Sequence, residues 1–367
     1  MRRKKILFVV HLPPPIHGVS VMNAILKNSA LLHNTLDCGF INLSLASGAD
    51  DFRKHRLKKY IDSVVMVIKT FFYLLFKRPH TVYITPFPFG IAFYKDALII
   101  LICKAFKKHV VLHLHTHGFK SAARGSFKTW FYRRVFKSTQ VICLSPRLTE
   151  DIEGLYQGKV YIVPNGIPVV NSTLQYTVKS GELKIVFLSN LISGKGVMLV
   201  LDAFKSIIER GLYHQLIIAG ADADIKAETL KAYVKKHQLE SYVNIIGPVY
   251  GAAKWHVLQT ADMLVLPSNY DTFGLVLLEA MQFGVPCIAS NFGGIPDVIG
   301  SNRGLLLPAL TVEAVAEAIL DLCNHPEKRL QMSREAFAYY HQEYTSERFE
   351  QRCLQVLQEN PDCIVSL

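Results

Sequence analysis

Twelve short runs of apolar, largely β-branched residues punctuate this chain, and the stretches between them have helical character. In the first half the runs are 6–10, 38–43, 82–85, 109–115, 140–144 and 160–163. In the second half they are 183–188, 215–219, 243–246, 263–266, 286–289 and 304–307. They are near-continuous rather than alternating. Strands buried on both faces read this way, as in a parallel sheet covered by helices. Six units followed by six more predict an α/β chain of two Rossmann-like, doubly wound parallel-sheet domains. The boundary is expected in the polar stretch 168–181, which has no clear periodicity. That gives a first domain over 1–170, a second over 171–345, and a C-terminal helix in 346–367 that packs back towards the first domain.

Two domains suit 367 residues at roughly 150 residues per domain. Such a chain can bury large cores without disulfides. A content of 50% hydrophobic and 19% charged residues excludes disorder, collagen and coiled coil. The seven cysteines (38, 103, 143, 287, 323, 353 and 363) form no C-x-x-C pair. They read as small buried hydrophobes in a reducing cytoplasm. The start, Met1-Arg2-Arg3-Lys4-Lys5, has the charge of a signal peptide, but the apolar run 6–10 then meets His11 and three prolines. No stretch reaches the ~18–20 apolar residues needed to span a bilayer. The expected location is the cytoplasm.

The net charge of +12 is unevenly spread. Residues 1–180 hold 26 Lys and Arg against 8 Asp and Glu, and residues 181–367 hold 15 against 21. A basic half joined to an acidic half predicts two surfaces with different partners. The basic half should attract an anionic partner: a membrane surface, a phosphorylated acceptor or nucleic acid.

Ligands of doubly wound sheets sit outside the carboxyl ends of the strands, so the strand-end loops carry the argument. No G-x-G-x-x-G occurs, and Gly194-Lys195-Gly196 lacks the Ser/Thr and the first glycine of a P-loop. A dehydrogenase or P-loop NTPase is therefore not expected. The most informative segment is 267–297, PSNYDTFGLVLLEAMQFGVPCIASNFGGIPD. A strand ends at Pro267, Asp271 or Thr272 caps a helix over about 273–283, Gly284 ends it, and Pro286 opens the next strand. The first-turn amides of that helix form a phosphate site. Eight residues separate Asp271 from Glu279, about 12 Å if wholly helical. Read alone, the two acids are equally a plain cap and a solvated helix residue.

This segment closely resembles the donor-site signature of family 4 glycosyltransferases, which have the GT-B fold, two such domains facing each other across a cleft. Their pattern of Glu, seven residues, Glu stands here as Asp271 and Glu279, with Phe273-Gly274 inside and Ala280-Met281, Gly284 and Pro286 following. The resemblance implies that Asp271 contacts the donor sugar hydroxyls and Glu279 the ribose. The loop amides of Thr272, Phe273, Gly274 and Leu275 would hold the diphosphate. Asp271 is shorter than the usual glutamate, which would alter sugar preference. FLSNLISGKG (187–196) resembles the family's G-R-L … K-G element. Lys195 matches the lysine that holds the leaving diphosphate. Asn190 stands where the family has arginine, so diphosphate binding is weaker or another cation substitutes. PNGIP (164–168) resembles an element near the hinge, and GGIPD, with Gly293 and Gly294, resembles a loop lining the donor site. Gly18, in PPPIHGVS, sits where the family has a glycine loop after the first strand.

In HLHTH, residues two apart share a strand face, so His113, His115 and His117 invite a metal. No carboxylate neighbours them in sequence, and no metal is expected. The resemblance places one histidine near the donor sugar and acceptor. His115 matches best, His117 is the runner-up, and His113 is expected to pack under the sheet.

Two basic stretches complete the pattern. Residues 53–78 hold an apolar core of about a dozen residues, interrupted by Lys69, that suits a buried or interfacial helix. Residues 120–137, KSAARGSFKTWFYRRVFK, interleave Lys120, Arg124, Lys128, Arg133, Arg134 and Lys137 with four aromatics, among them Trp130. Either stretch binds a membrane interface and its acceptor, or is a packed helix with a solvated basic face. No groove-reading motif supports nucleic acid.

The expected function is a retaining, metal-independent glycosyltransferase with catalytic residues His115, Lys195 and Asp271. It has no cofactor beyond a nucleotide-diphosphate sugar donor. The acceptor is a lipid-linked or membrane-proximal glycan in bacterial O-antigen, capsule or exopolysaccharide assembly. The enzyme would be peripheral on the inner face of the cytoplasmic membrane. The alternatives are a nucleotide-sugar 2-epimerase of the same fold and a non-catalytic sugar-nucleotide or lipid-binding protein.

Overall fold

A computed structural model describes residues 3–44, 56–177 and 181–359. It divides into two compact units, 1–166 with 346–367, and 167–345. The first unit is built on strands β1 (Lys5–Val10), β2 (Asp37–Asn42), β3 (Thr81–Ile84), β4 (His109–Leu114), β5 (Gln140–Cys143) and β6 (Val160–Ile162). All are parallel, in the order β2-β1-β3-β4-β5-β6. Its helices are α1 (Gly18–Asn28), α2 (Ala30–Thr35), α3 (Arg56–Lys77), α4 (Gly90–Ala105), α5 (Phe119–Ala122) and α6 (Ser126–Phe136).

The second unit holds β7 (Lys184–Leu188), β8 (Gln215–Ala219), β9 (Val243–Gly247), β10 (Met263–Leu266), β11 (Cys287–Ser290) and β12 (Gly304–Leu307). These too are parallel, in the order β12-β11-β10-β7-β8-β9. Its helices are α7 (Val197–Glu209), α8 (Ala227–Lys236), α9 (Gly251–Thr260), α10 (Leu275–Met281), α11 (Ile295–Ile299), α12 (Val312–Asn324) and α13 (Pro326–Glu343). A last helix, α14 (Ser346–Gln358), belongs to the first unit and packs on α1 and α2. Residues 360–367, the end of the expected C-terminal helix, lie outside the described residues, as do Cys363 and 53–55 of the first basic stretch.

The twelve expected strands are the twelve found, shifted at their ends by a residue or two. Inner strands β3, β5, β10 and β11 are buried at every position, while edge strand β2 has one buried residue of six. Continuous apolar runs are thus the mark of strands covered on both faces. Strand β11 begins at Cys287 rather than Pro286, because proline has no N–H for the ladder; its carbonyl still accepts from Leu264. Each fully enclosed side chain, such as Leu7, Phe8, Val186 or Phe204, contributes roughly 1.5–3 kcal/mol. In α7 the buried residues Val197, Val200, Leu201, Phe204 and Ile207 recur at helical spacing.

The boundary falls at Gly166, ahead of the polar stretch expected to form it. That stretch is tied down onto the second unit. Val170 N–H donates to Gln282, Asn171 Nδ2 to the Gln282 carbonyl, and Tyr176 Oη to the Asp262 carbonyl. Polar side chains there satisfy backbone groups of the second domain, so absence of periodicity did not mean a free linker.

Candidate active site

In each sheet the strand order reverses at one point, between β1 and β3 and between β7 and β10. Loops at such a reversal diverge and leave a crevice at the carboxyl edge. In the second unit the two loops carry Lys195, after β7, and Asp271, after β10. They meet there: Lys195 Nζ forms an ion pair with Asp271 Oδ1, both side chains largely shielded. The Lys195 ammonium also lies 5.6 Å from the ring centre of Tyr270. Asp271 Oδ2 is enclosed and has no hydrogen-bond partner among the described residues.

Two features hold the loops in register. Gly196 has φ +83°, and a Cβ there would stand 2.6 Å from the Pro267 carbonyl oxygen. Only glycine lets the β7 loop close on the β10 loop in this way. Ser268 Oγ accepts the amides of Tyr270 and Asp271, and the Asn269 amide donates to the Gly194 carbonyl. Ser193 is held by Asp224 through its amide and hydroxyl. Neither Ser268 nor Asp224 was expected, since single polar residues in loops carry no spacing signal.

The helix after Asp271 differs from expectation. It starts at Leu275, and neither Asp271 nor Thr272 caps it; Gly274, at φ +77°, is the N-cap, with no side-chain bond. A Cβ at Gly274 would meet Leu277 at 2.8 Å. Asp271 lies three residues ahead of that cap and pairs with Lys195 instead. The far end ends as expected near Gly284: the Gly284 amide donates to Met281 and the Val285 amide to Ala280. Gly294 N–H donates to the Thr272 carbonyl at 2.8 Å, bringing Gly293 and Gly294 against the same loop. Phe273 is buried, and Leu275 half-buried.

Glu279 projects from α10 and pairs at 2.6 Å with Lys254 of α9. Burial pushes its pKa up and Lys254 pulls it back. Lys254 also lies over the ring of Trp255, 4.6 Å from its centre. The lysine went unnoticed in the sequence because it stands 25 residues before Glu279 with no motif around it. Asn190 is exposed beyond β7.

In the first unit Gly18 is the exposed first residue of α1, behind the N-cap His17, whose ring accepts the Ser20 amide. The three histidines of the run differ in exposure. His113 is fully buried against the Tyr83 hydroxyl, at 2.5 Å. His115, expected to face the site, is only 7% exposed, and both its ring nitrogens are closed to solvent. Burial pushes its pKa down to about 3, with Asn165 opposing and His17 adding to the fall. The strand ends at Leu114, so alternation stops before His115, and it is His117 that is exposed. Among the described residues no group of three His, Cys, Asp or Glu could hold a metal ion.

The second basic stretch is partly spoken for. Lys120 pairs with Glu153, Arg133 Nε donates to the Gly154 carbonyl, and the Lys137 carbonyl accepts from Lys104. Arg124, Lys128, Arg134 and Trp130 are exposed, but Tyr132 and Phe136 are buried and form core rather than interface.

Residues 174–339 match the family of glycosyl transferases group 1. The N-acetyl-alpha-D-glucosaminyl L-malate synthase of Bacillus anthracis is 30% identical over 175 residues, covering 47% of this chain and 45% of that protein. The chain thus spans about half the length of the curated relatives it matches. Sucrose-phosphate synthase from Thermosynechococcus elongatus superposes with a TM-score of 0.74 at 17% identity, over 97% of this chain and 98% of that one. HepE of Anabaena, solved in complex with UDP, gives a TM-score of 0.74 at 14% identity, over 96% and 99%. These two likenesses concern the fold, which is GT-B. The match to the glycosyl transferases group 1 family covers residues 174–339, within the second unit.

Proposed function

We propose that the chain is a retaining, metal-independent glycosyltransferase. It moves a sugar from a nucleotide-diphosphate donor to a lipid-linked or membrane-proximal glycan acceptor in bacterial surface-polysaccharide assembly, working at the inner face of the cytoplasmic membrane. The observation that carries this reading is the pairing of Lys195 with Asp271 at the second sheet's reversal point, with Asp271 Oδ2 enclosed and unpartnered. A buried acceptor without a donor is costly, and a sugar hydroxyl is a donor of the right kind. The Lys195 ammonium is the countercharge for a diphosphate, and its hold strengthens as the leaving group gains charge. Glu279 accepts ribose hydroxyl bonds, released from Lys254 to do so.

In the reaction the bond from the sugar's anomeric carbon to the phosphate oxygen breaks, and the acceptor oxygen bonds that carbon on the same face. The leaving phosphate takes the acceptor proton. His115, neutral and closed to solvent, is not asked to take it. HepE of Anabaena, solved with UDP and with UDP-glucose, makes a uridine diphosphate sugar the first donor to try.

The test is release of nucleotide diphosphate from a panel of nucleotide sugars, with and without a lipid-linked acceptor. Acceptor-dependent release, undiminished in excess chelator, is expected. Conversion of the nucleotide sugar into its 2-epimer without any acceptor, and with no net release of nucleotide, points to the epimerase class. Loss of activity on chelation, restored by zinc or manganese, overturns the metal-free mechanism.

A further inference from the structure

Helix α3 is apolar on the side that faces away from its own unit. Over its 22 residues, about 33 Å of length, the buried positions Thr70 and Leu74 mark a narrow stripe towards the protein. The opposite stripe, Ile61, Val64, Ile68, Phe72, Leu75 and Phe76, recurs at spacings of three and four and is exposed, Phe76 by 73%. A helix facing water places polar residues there. Phe72 and Phe76 stack on each other at 6.0 Å. The stripe is no isolated feature. Helix α4 packs beside α3 and exposes Ile91, Tyr94 and Leu98, and α6 beside α4 exposes Phe127 and Trp130.

Charge selects the occupant. The three helices carry ten lysines and arginines against two aspartates. One of these, Asp96, is fully buried and paired with Lys95. Exposed Lys69, Lys77 and Arg78 flank the apolar stripe itself. A second copy of the chain would bring the same cations face to face. An anionic bilayer offers both an apolar interior and the opposite charge. No described helix is long and apolar enough to cross a membrane.

We infer that α3 is an in-plane membrane anchor. Its Ile61–Phe76 stripe sinks into the acyl boundary of an anionic leaflet, with Lys69, Lys77 and Arg78 at the level of the headgroups. The inference deepens the proposed membrane-proximal acceptor, and its readout needs no enzyme activity. Co-sedimentation with phosphatidylglycerol-containing vesicles is the measurement, on the full chain. The wild type should bind these and leave pure phosphatidylcholine vesicles largely unbound, and part of the binding should survive high salt. Ile68→Ser, Phe72→Ser and Phe76→Ser together, all exposed, should weaken vesicle binding more than tenfold while the nucleotide-sugar thermal shift stays. If the donor shift is absent but vesicles bind, the enzyme reading fails and the anchor stands. Unchanged vesicle binding in the triple variant overturns the anchor. So does a wild type that ignores anionic vesicles, or a concentration-dependent dimer that the same variant dissolves without changing vesicle binding. Independently, Phe76→Trp in a chain whose Trp130 and Trp255 are phenylalanine should emit at shorter wavelength on vesicles. No shift on bound protein overturns the insertion.

Discussion

The two units share one architecture and use its outside in opposite ways. Each is a six-stranded parallel sheet under helices. In the second unit no exposed large apolar side chain lies on a described helix; those it exposes, such as Tyr250 and Tyr270, sit in turns and loops or, for Ile246, on edge strand β9. In the first unit α3, α4 and α6 all carry them. The treatment of ionisable groups differs as well. The second unit pairs charges at its carboxyl edge, Lys195 with Asp271 and Lys254 with Glu279. The first shields imidazoles that desolvation keeps neutral, half-buried His11 and buried His113 and His115 among them. One scaffold therefore supports a charged pocket at a sheet edge or a greasy, basic helix layer, according to which positions leave the core.

Lys195→Ala is the hardest test of the second unit as the chemical one. Turnover should fall roughly 100-fold or more, the scale of losing one group that stabilises developing negative charge. Donor affinity should fall less, because the partner gains charge only in the transition state. Steady-state kinetics separate the two. Equal losses in kcat and affinity would reduce Lys195 to a ground-state contact.

Glu279→Gln has a smaller expected effect. It keeps the size and removes a charged acceptor whose bonds are worth about 1.5–3 kcal/mol. Nucleotide-sugar binding by calorimetry should weaken roughly tenfold. Unaltered affinity in a folded variant removes Glu279 from the donor site. The ion pair with Lys254 would then be structural.

The smallest effect concerns acid. His11 and His115 are held near about 3 by burial and His109 near about 4, against about 6.5 in an unfolded chain. Between these values the unfolded chain binds protons that the native one refuses, so stability falls as pH drops below about 6.5. Glu279, whose pKa is raised, acts with the opposite sign in the window just above its ordinary value. Amide exchange followed from pH 7 to pH 5 should show protection lost first in β1 and β4. Earlier loss in β7 and β10 would erase the contrast between the units.

Much of the fold was legible in advance because burial on both faces leaves a continuous apolar run, as in inner strands β3, β10 and β11. The second-unit site was legible for a related reason. Lys195, Asp271 and Glu279 stand in short segments whose glycines and prolines punctuate a strand-loop-helix unit. The first unit was less so. The resemblance put His115 near the site, and the structure places it just past the end of β4 at Leu114, with its side chain buried. The basic stretch 120–137 read either as a membrane surface or as a packed helix with a basic face, and only the structure shows that Phe136 packs inside and that Lys120 pairs with Glu153.

By itself, then, the sequence determined the α/β class, the strand count, the division into a basic and an acidic half, and which strand-end loops carry Lys195 and Asp271. These follow from local pattern and composition, which need no knowledge of what lies across the sheet. Tertiary structure alone decided that Lys195 closes on Asp271, that Lys254 reaches Glu279, and that Gly274 rather than an aspartate starts the helix. It also decided that α3 turns its apolar stripe outward. Periodicity reports that a helix has an apolar face, but not whether another element covers it; only the packing of the chain against itself says which face is left over.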